Sequence, residues 1–126
     1  MLITAPCFAQ LTVIRKTEQF KDAIANNEYV VAKFHAIWCP ACVNIGLAFK
    51  ETADEESLAH IAFLNVDVDE NENLARQYKI RSIPAFIFFK NGEKIRTEFD
   101  YNPLTFKENL TEKLNTLFVK KKKLAR

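Results

Sequence analysis

Tyr29-Val30-Val31-Ala32-Lys33-Phe34-His35-Ala36-Ile37-Trp38-Cys39-Pro40-Ala41-Cys42 is the stretch on which the reading of this 126-residue chain turns. Its first half, Tyr29 to His35, is a nearly unbroken apolar run with β-branched and aromatic residues, the pattern of a strand covered on both faces and therefore central in its sheet. Its second half carries two cysteines at i and i+3. Pro40 suits the first turn of a helix, and no proline interrupts the chain from there to Glu56, so a helix is predicted over residues 40–56. Cys39 then stands at a strand-to-helix junction, where backbone N–H groups lack intrahelical partners and the positive end of the helix dipole favours a thiolate.

Working outward, the same patterns repeat on either side. Leu11 to Ile14 reads as a short first strand. Thr17 is a good N-cap for an amphipathic helix over 18–26, with Phe20, Ala23 and Ile24 on one face. Ile61 to Asp67 is a second buried-looking strand, followed by the acidic, asparagine-rich Asp67 to Asn73 and a short helix over 74–78. Ala85 to Phe89 is a third apolar run. Asn91-Gly92 is a hairpin turn, and Ile95, Thr97 and Phe99 alternate in the strand beyond it. Asn102 reads as a cap with Pro103 at the first helical position, and Phe106, Leu110, Leu114, Leu117 and Phe118 form one apolar face. The order β α β α β α β β α predicts an α/β fold: parallel strands joined by crossovers, closed by an antiparallel hairpin, with helices on both faces of a central mixed sheet.

Length and composition bound what such a domain can do. One domain is expected from 126 residues, and 48% hydrophobic with 27% charged residues excludes disordered and fibrous classes. Gly46 and Gly92 are the only glycines, too few for a dinucleotide fingerprint or a phosphate loop. The formal net charge of +2 hides an asymmetry: Lys120, Lys121, Lys122, Lys123 and Arg126 supply five of the 18 basic residues, and subtracting them leaves 13 against 16 acidic ones. A basic tail over 119–126 therefore follows a slightly acidic domain over 11–118. No aromatic residue is interleaved with the tail lysines, so no stacking platform for nucleic acid is expected. No apolar run is long enough to span a membrane. Residues 1–10, apolar and ending in Cys7-Phe8-Ala9-Gln10, form an N-terminal extension that is a candidate remnant of a signal peptide.

Cys39 and Cys42 carry the chemistry. A thiolate at Cys39 attacks a disulfide, and Cys42, almost one turn on along the same face, resolves the mixed disulfide that results. The rival reading is half of a zinc site completed by His35 or His60, but a structural zinc site commonly takes a second cysteine pair, and the third cysteine, Cys7, stands near the N-terminus. No metal is expected. A CxxC in a βα context reads as a redox motif.

Four motifs then resemble the thioredoxin family in order and approximate spacing over roughly residues 11–118: Trp38-Cys39-Pro40-Ala41-Cys42, Asn65-Val66-Asp67, Ser82-Ile83-Pro84 and Phe89-Lys90-Asn91-Gly92-Glu93. The resemblance implies a thioredoxin fold, with Cys39 attacking and Cys42 resolving. It also implies a cis peptide before Pro84, and a substrate-binding surface formed by Trp38, Pro40, Ile83 and Pro84. It implies a thiol:disulfide oxidoreductase acting on protein disulfides without a bound cofactor, as a monomer, recharged by a disulfide reductase or a membrane electron donor. A cytoplasmic location is expected, or a periplasmic or secreted one if a longer leader precedes Met1. The alternative is a peptide-binding module with little redox turnover.

The chain departs from the family at several positions. Pro40-Ala41 replaces the usual Gly-Pro between the cysteines. Lys33 stands where the family has a buried aspartate, and Phe63 where it has that acid's lysine partner. A cationic Lys33 would favour thiolates and make the disulfide more oxidising; a neutral one could accept a proton; one pointing to solvent would do neither. His35 occupies an aromatic position near the motif and is a second candidate modulator. Leu47 replaces a proline that kinks the active-site helix. Asp100 and Tyr101 replace small residues of the substrate groove, which suggests a narrower client range.

Overall fold

The computed structural model describes residues 11–99 and 102–119. Expectations resting on Cys7, on the N-terminal extension, on Asp100 and Tyr101 and on the tail lysines lie outside them. Ten elements follow in chain order: β1 (Leu11–Ile14), α1 (Thr17–Asn26), β2 (Tyr29–His35), α2 (Pro40–Ala53), a 3-10 turn (Glu56–Leu58), β3 (Ile61–Asp67), α3 (Glu72–Gln77), β4 (Ala85–Lys90), β5 (Glu93–Glu98) and α4 (Phe106–Leu117).

The five strands form one mixed sheet in the order β1-β3-β2-β4-β5. β1, β3 and β2 run parallel, whereas β4 is antiparallel to β2 and β5 antiparallel to β4. β2 is central as its apolar run requires, and each of its residues from Tyr29 to Phe34 is buried. Alternate residues of the strands feed two cores. On one face Val31, Phe63, Phe86 and Phe88 pack under Ile45 and Phe49 of α2 and Phe106, Leu110 and Leu114 of α4. On the other, Val30, Ala32, Phe34, Leu64 and Phe89 pack against Phe20 of α1 and Leu74 of α3. Helices therefore cover both faces. Asn91 (φ 54°) and Gly92 (φ 83°) both adopt positive φ at the β4–β5 turn, the conformation that a two-residue hairpin of this twist demands.

Helix ends differ from the sequence expectation in four places, each for a local reason. α3 runs Glu72–Gln77 rather than 74–78, because Asn71 takes the cap position and its carbonyl accepts from the Ala75 amide at 3.0 Å. Thr17 is the first helical residue rather than the cap of α1; Lys16 takes the cap position, and the Gln19 side chain accepts from the Lys16 and Arg15 amides at 3.1 and 2.6 Å. α2 stops at Ala53 rather than Glu56, because the amide of Asp54 turns back to the carbonyls of Lys50 and Glu51 and the chain re-enters a 3-10 turn. α4 begins at Phe106, three residues beyond Pro103. The Asn102 side chain accepts from the Leu104 amide at 2.9 Å, which closes a separate turn, and Thr105 then takes the cap position.

Candidate active site

Cys39 is the N-cap of α2. Its Sγ accepts from the Cys42 amide at 3.2 Å, and its carbonyl accepts from the Val43 amide at 3.0 Å. The side chain thus meets one of the N–H groups that a helix start leaves unpaired, which stabilises negative charge on that sulfur. The two cysteines are unbridged, with the Cys42 Sγ in direct contact with Cys39 Sγ. Both are buried in a small cluster with Ala36, edged by Ala41, Val68 and Ile83. Burial pushes the Cys42 thiol up to about 11; the hydrogen bond to Cys39 adds to this, while the hydrogen bond with the Ala36 backbone and the Lys33 charge oppose it. The two sulfurs therefore sit in different surroundings, Cys39 Sγ accepting a helix-start amide and the Cys42 thiol held up by burial.

The Ile83–Pro84 peptide is cis, and the Ile83 carbonyl lies 3.9 Å from Cys39 Sγ. Pro84 is buried, Ile83 half-buried and Pro40 exposed. Trp38 is 65% exposed, so it is not a core aromatic; its Nε1–H donates to the Asp69 carboxylate at 2.7 Å. Asp69 is a contact that the sequence reading did not single out. It sits in the acidic segment after β3, whose turn is held by Asp67 Oδ1 accepting from the Asp69 and Glu70 amides.

Lys33 is 3% exposed, which removes the solvent-pointing alternative. Its Nζ lies 4.9 Å from the centroid of the Phe49 ring of α2, and none of the four ion pairs among the described residues includes it. Across the parallel ladder it faces Asn65, whose buried Oδ1 has no hydrogen-bond partner. Burial lowers the lysine's proton affinity, and the Cys42 charge works the other way. His35 stands opposite Asp67 in the same ladder; burial and the Lys33 charge lower its proton affinity and Asp67 raises it. His60 is elsewhere, with Nε2 3.0 Å from the Phe118 carbonyl, and no cluster of three metal-ligating side chains forms among the described residues. A groove of about 470 Å³ between β5 and α4 contains neither cysteine. Three of its four charged lining residues pair with one another, since Glu98 accepts from Lys113 at 3.1 Å and pairs with Arg96 at 3.4 Å, and the fourth is Glu112.

The sequence profile of the Thioredoxin family matches residues 11–116. The chain belongs to the thioredoxin family. Thioredoxin from Malassezia sympodialis is 37% identical over 100 residues, which cover 79% of this chain and 95% of that one. Thioredoxin from Bacillus subtilis is 32% identical over 105 residues, covering 83% and 97%. A solved structure of the Malassezia protein superimposes with a TM-score of 0.73 at 34% identity, covering 88% of this chain and 96% of that one. With the Cys39–Cys42 dithiol in place on this fold, the thioredoxin-family chain is a thiol:disulfide oxidoreductase acting on protein disulfides. Among the described residues no helix is long and apolar enough to cross a membrane.

Proposed function

We propose that Cys39 is the attacking thiol and Cys42 the resolving one, and that the chain works as a monomeric, cofactor-free reductant of protein disulfides. The asymmetry between the sulfurs carries this reading: Cys39 Sγ accepts an amide N–H at the helix start, while burial holds the Cys42 proton up to about 11. The Cys39 thiolate attacks one sulfur of a substrate disulfide, forming Cys39–S–S–R and releasing the other sulfur as a thiolate. Cys42 then gives up its proton and attacks Cys39 Sγ. The second substrate thiolate leaves, and the two electrons are now missing from a Cys39–Cys42 disulfide. A disulfide reductase, or a membrane donor, returns them. Trp38, Pro40, Ile83 and Pro84 border the reacting sulfur and bind the substrate segment. A cytoplasmic setting, where thiols are kept reduced, suits a dithiol that must be recharged.

Lys33 and His35 tune the pair. An ammonium buried near Cys42 favours thiolates over the disulfide, which makes the disulfide more oxidising and sets the potential above thioredoxin's value of roughly −270 mV. The test is a disulfide-reduction assay on wild type, Cys39→Ser and Cys42→Ser. Cys39→Ser abolishes turnover, and Cys42→Ser accumulates a mixed disulfide with substrate, visible as a mass adduct. An adduct on Cys42 in Cys39→Ser, with none on Cys39 in Cys42→Ser, would reverse the assignment.

A further inference from the structure

The exposed face of α2 continues outward from the reacting sulfur. Cys39, Val43 and Leu47 succeed one another at intervals of four along the helix, and the Val43 amide bonds to the Cys39 carbonyl. Val43 is 64% exposed and Leu47 68%, whereas Cys42, Ile45 and Phe49 fill the buried side of the same helix. Gly46 lies between them on open surface, where an added Cβ would meet nothing within 4 Å. Directly before Cys39 in the chain stand Ile37 at 78% and Trp38 at 65% exposure. The result is an apolar strip with Cys39 in its middle.

The helical part of that strip carries no charge of its own, the nearest carboxylate being that of Asp69, engaged by Trp38 at 2.7 Å. From Ala36 to Phe49 there is no Asp, Glu, Lys or Arg, in a chain of which 27% is charged, and Lys50 at the far end of the strip is engaged by Asp54 at 2.8 Å. Depletion of charge with retention of large apolar side chains is the composition of an interface core rather than of free surface. A rise of 1.5 Å per residue sets Leu47 about 12 Å from Cys39 along the helix, the span of about four extended residues. Any protein whose disulfide reaches Cys39 must lay neighbouring residues on one side or the other of this sulfur.

We propose that Val43 and Leu47 form a docking arm that receives an apolar segment of the substrate protein, two to four residues from the cysteine under attack. The proposal rests on Cys39 being the attacking thiol. The occupant is the disulfide-bearing substrate, because the strip is continuous with the place where substrate sulfur must sit. Contacts kept through the transition state raise the second-order rate constant, so the arm selects among clients without changing the chemistry at sulfur.

The test mixes pre-reduced full-length protein with two synthetic peptide disulfides. They are identical except for Leu-Val-Leu or Ser-Thr-Ser at the positions two to four residues from one half-cystine. Hydroxyethyl disulfide, too small to reach Leu47, is run in parallel. Wild type reacts with the apolar peptide about tenfold faster than with the polar one, the scale expected from covering two exposed aliphatic side chains after association costs. In Val43→Gln/Leu47→Gln that ratio falls to near one, and in Leu47→Gln alone to about threefold. A ratio near one in wild type, or a tenfold ratio that survives in the double variant, overturns the arm. So does a wild-type dimer in sedimentation that the double variant dissociates, since the strip would then cover a second copy. A wild type inert toward hydroxyethyl disulfide instead overturns the dithiol reading beneath it.

Discussion

Replacing Lys33 by methionine is expected to make the protein more stable. The side chain is 3% exposed on the central strand, without a carboxylate partner among the described ion pairs, and its favourable contact is with the Phe49 ring at 4.9 Å. Removing an uncompensated buried charge in favour of an apolar residue of similar length gains about 1–4 kcal/mol, and the lost cation–π contact returns about 0.5–2 of this. A net gain of about 1–2 kcal/mol corresponds to about 3–8 °C in melting temperature for a domain of this size. The assay is thermal and urea unfolding of the disulfide form, in which neither Cys39 nor Cys42 titrates. The sign of the pH dependence follows from burial lowering the lysine's proton affinity below its ordinary 10.5. Below both values the lysine is protonated in either state and Lys33→Met shows its full advantage. As pH rises from the folded value toward 10.5 the unfolded state holds the extra proton, so wild-type stability climbs and the advantage shrinks. A variant destabilised by 1 kcal/mol or more at pH 7, or an advantage unchanged up to pH 10.5, would refute the account of Lys33 as a buried, unpaired amine.

Reduced protein should lose about 2–3 kcal/mol relative to the oxidised form as pH rises from 9 to 11. The unfolded Cys42 thiol ionises near 9.0 while the folded one holds its proton to about 11, so the unfolded state binds fewer protons across that window; parallel urea titrations of both redox forms measure it. Phe20→Ala should cost about 3–5 kcal/mol in chemical denaturation, since the ring is fully buried and its centroid lies 5.6 Å from those of Tyr78 and Phe89. Gly92→Ala should cost about 1 kcal/mol with no change in disulfide reduction. The nearest atom to the added Cβ is the Ile24 carbonyl oxygen at 3.8 Å, so the cost comes from the positive φ alone.

β2 and β3 match their sequence bounds residue for residue, because a strand buried on both faces leaves an apolar run whose ends are its own ends. The hairpin was equally legible, since Asn91-Gly92 names a backbone conformation that few other pairs adopt. Of the helix starts, that of α2 at Pro40 was legible and the others were not. Asn102-Pro103 has the composition of a cap and a first turn, yet Asn102 spends its side chain on the Leu104 amide, and two uses of one local hydrogen bond cannot be told apart in sequence. The dithiol was plain from spacing and context. The surroundings of Lys33 were not, because they depend on where the Phe49 ring of α2 lies over the sheet, and no spacing encodes that crossing. Asp69 was missed for the same reason: its partner Trp38 is 31 positions away, and only the loop after β3 brings the two together.

The C-terminal end of α4 is moored at the other pole of β2. Tyr29 stacks on Phe118 with ring centroids 4.9 Å apart, its hydroxyl donates to the Val119 carbonyl at 3.1 Å, and His60 holds the Phe118 carbonyl. Six strand steps separate Tyr29 from His35, about 20 Å at the usual rise. Val119 therefore lies toward the end of β2 remote from the sulfurs, and it is exposed. A fluorophore or an affinity handle carried on Val119 itself would sit away from the two cysteines, so the protein can be held at that position with its reactive end presented to solution.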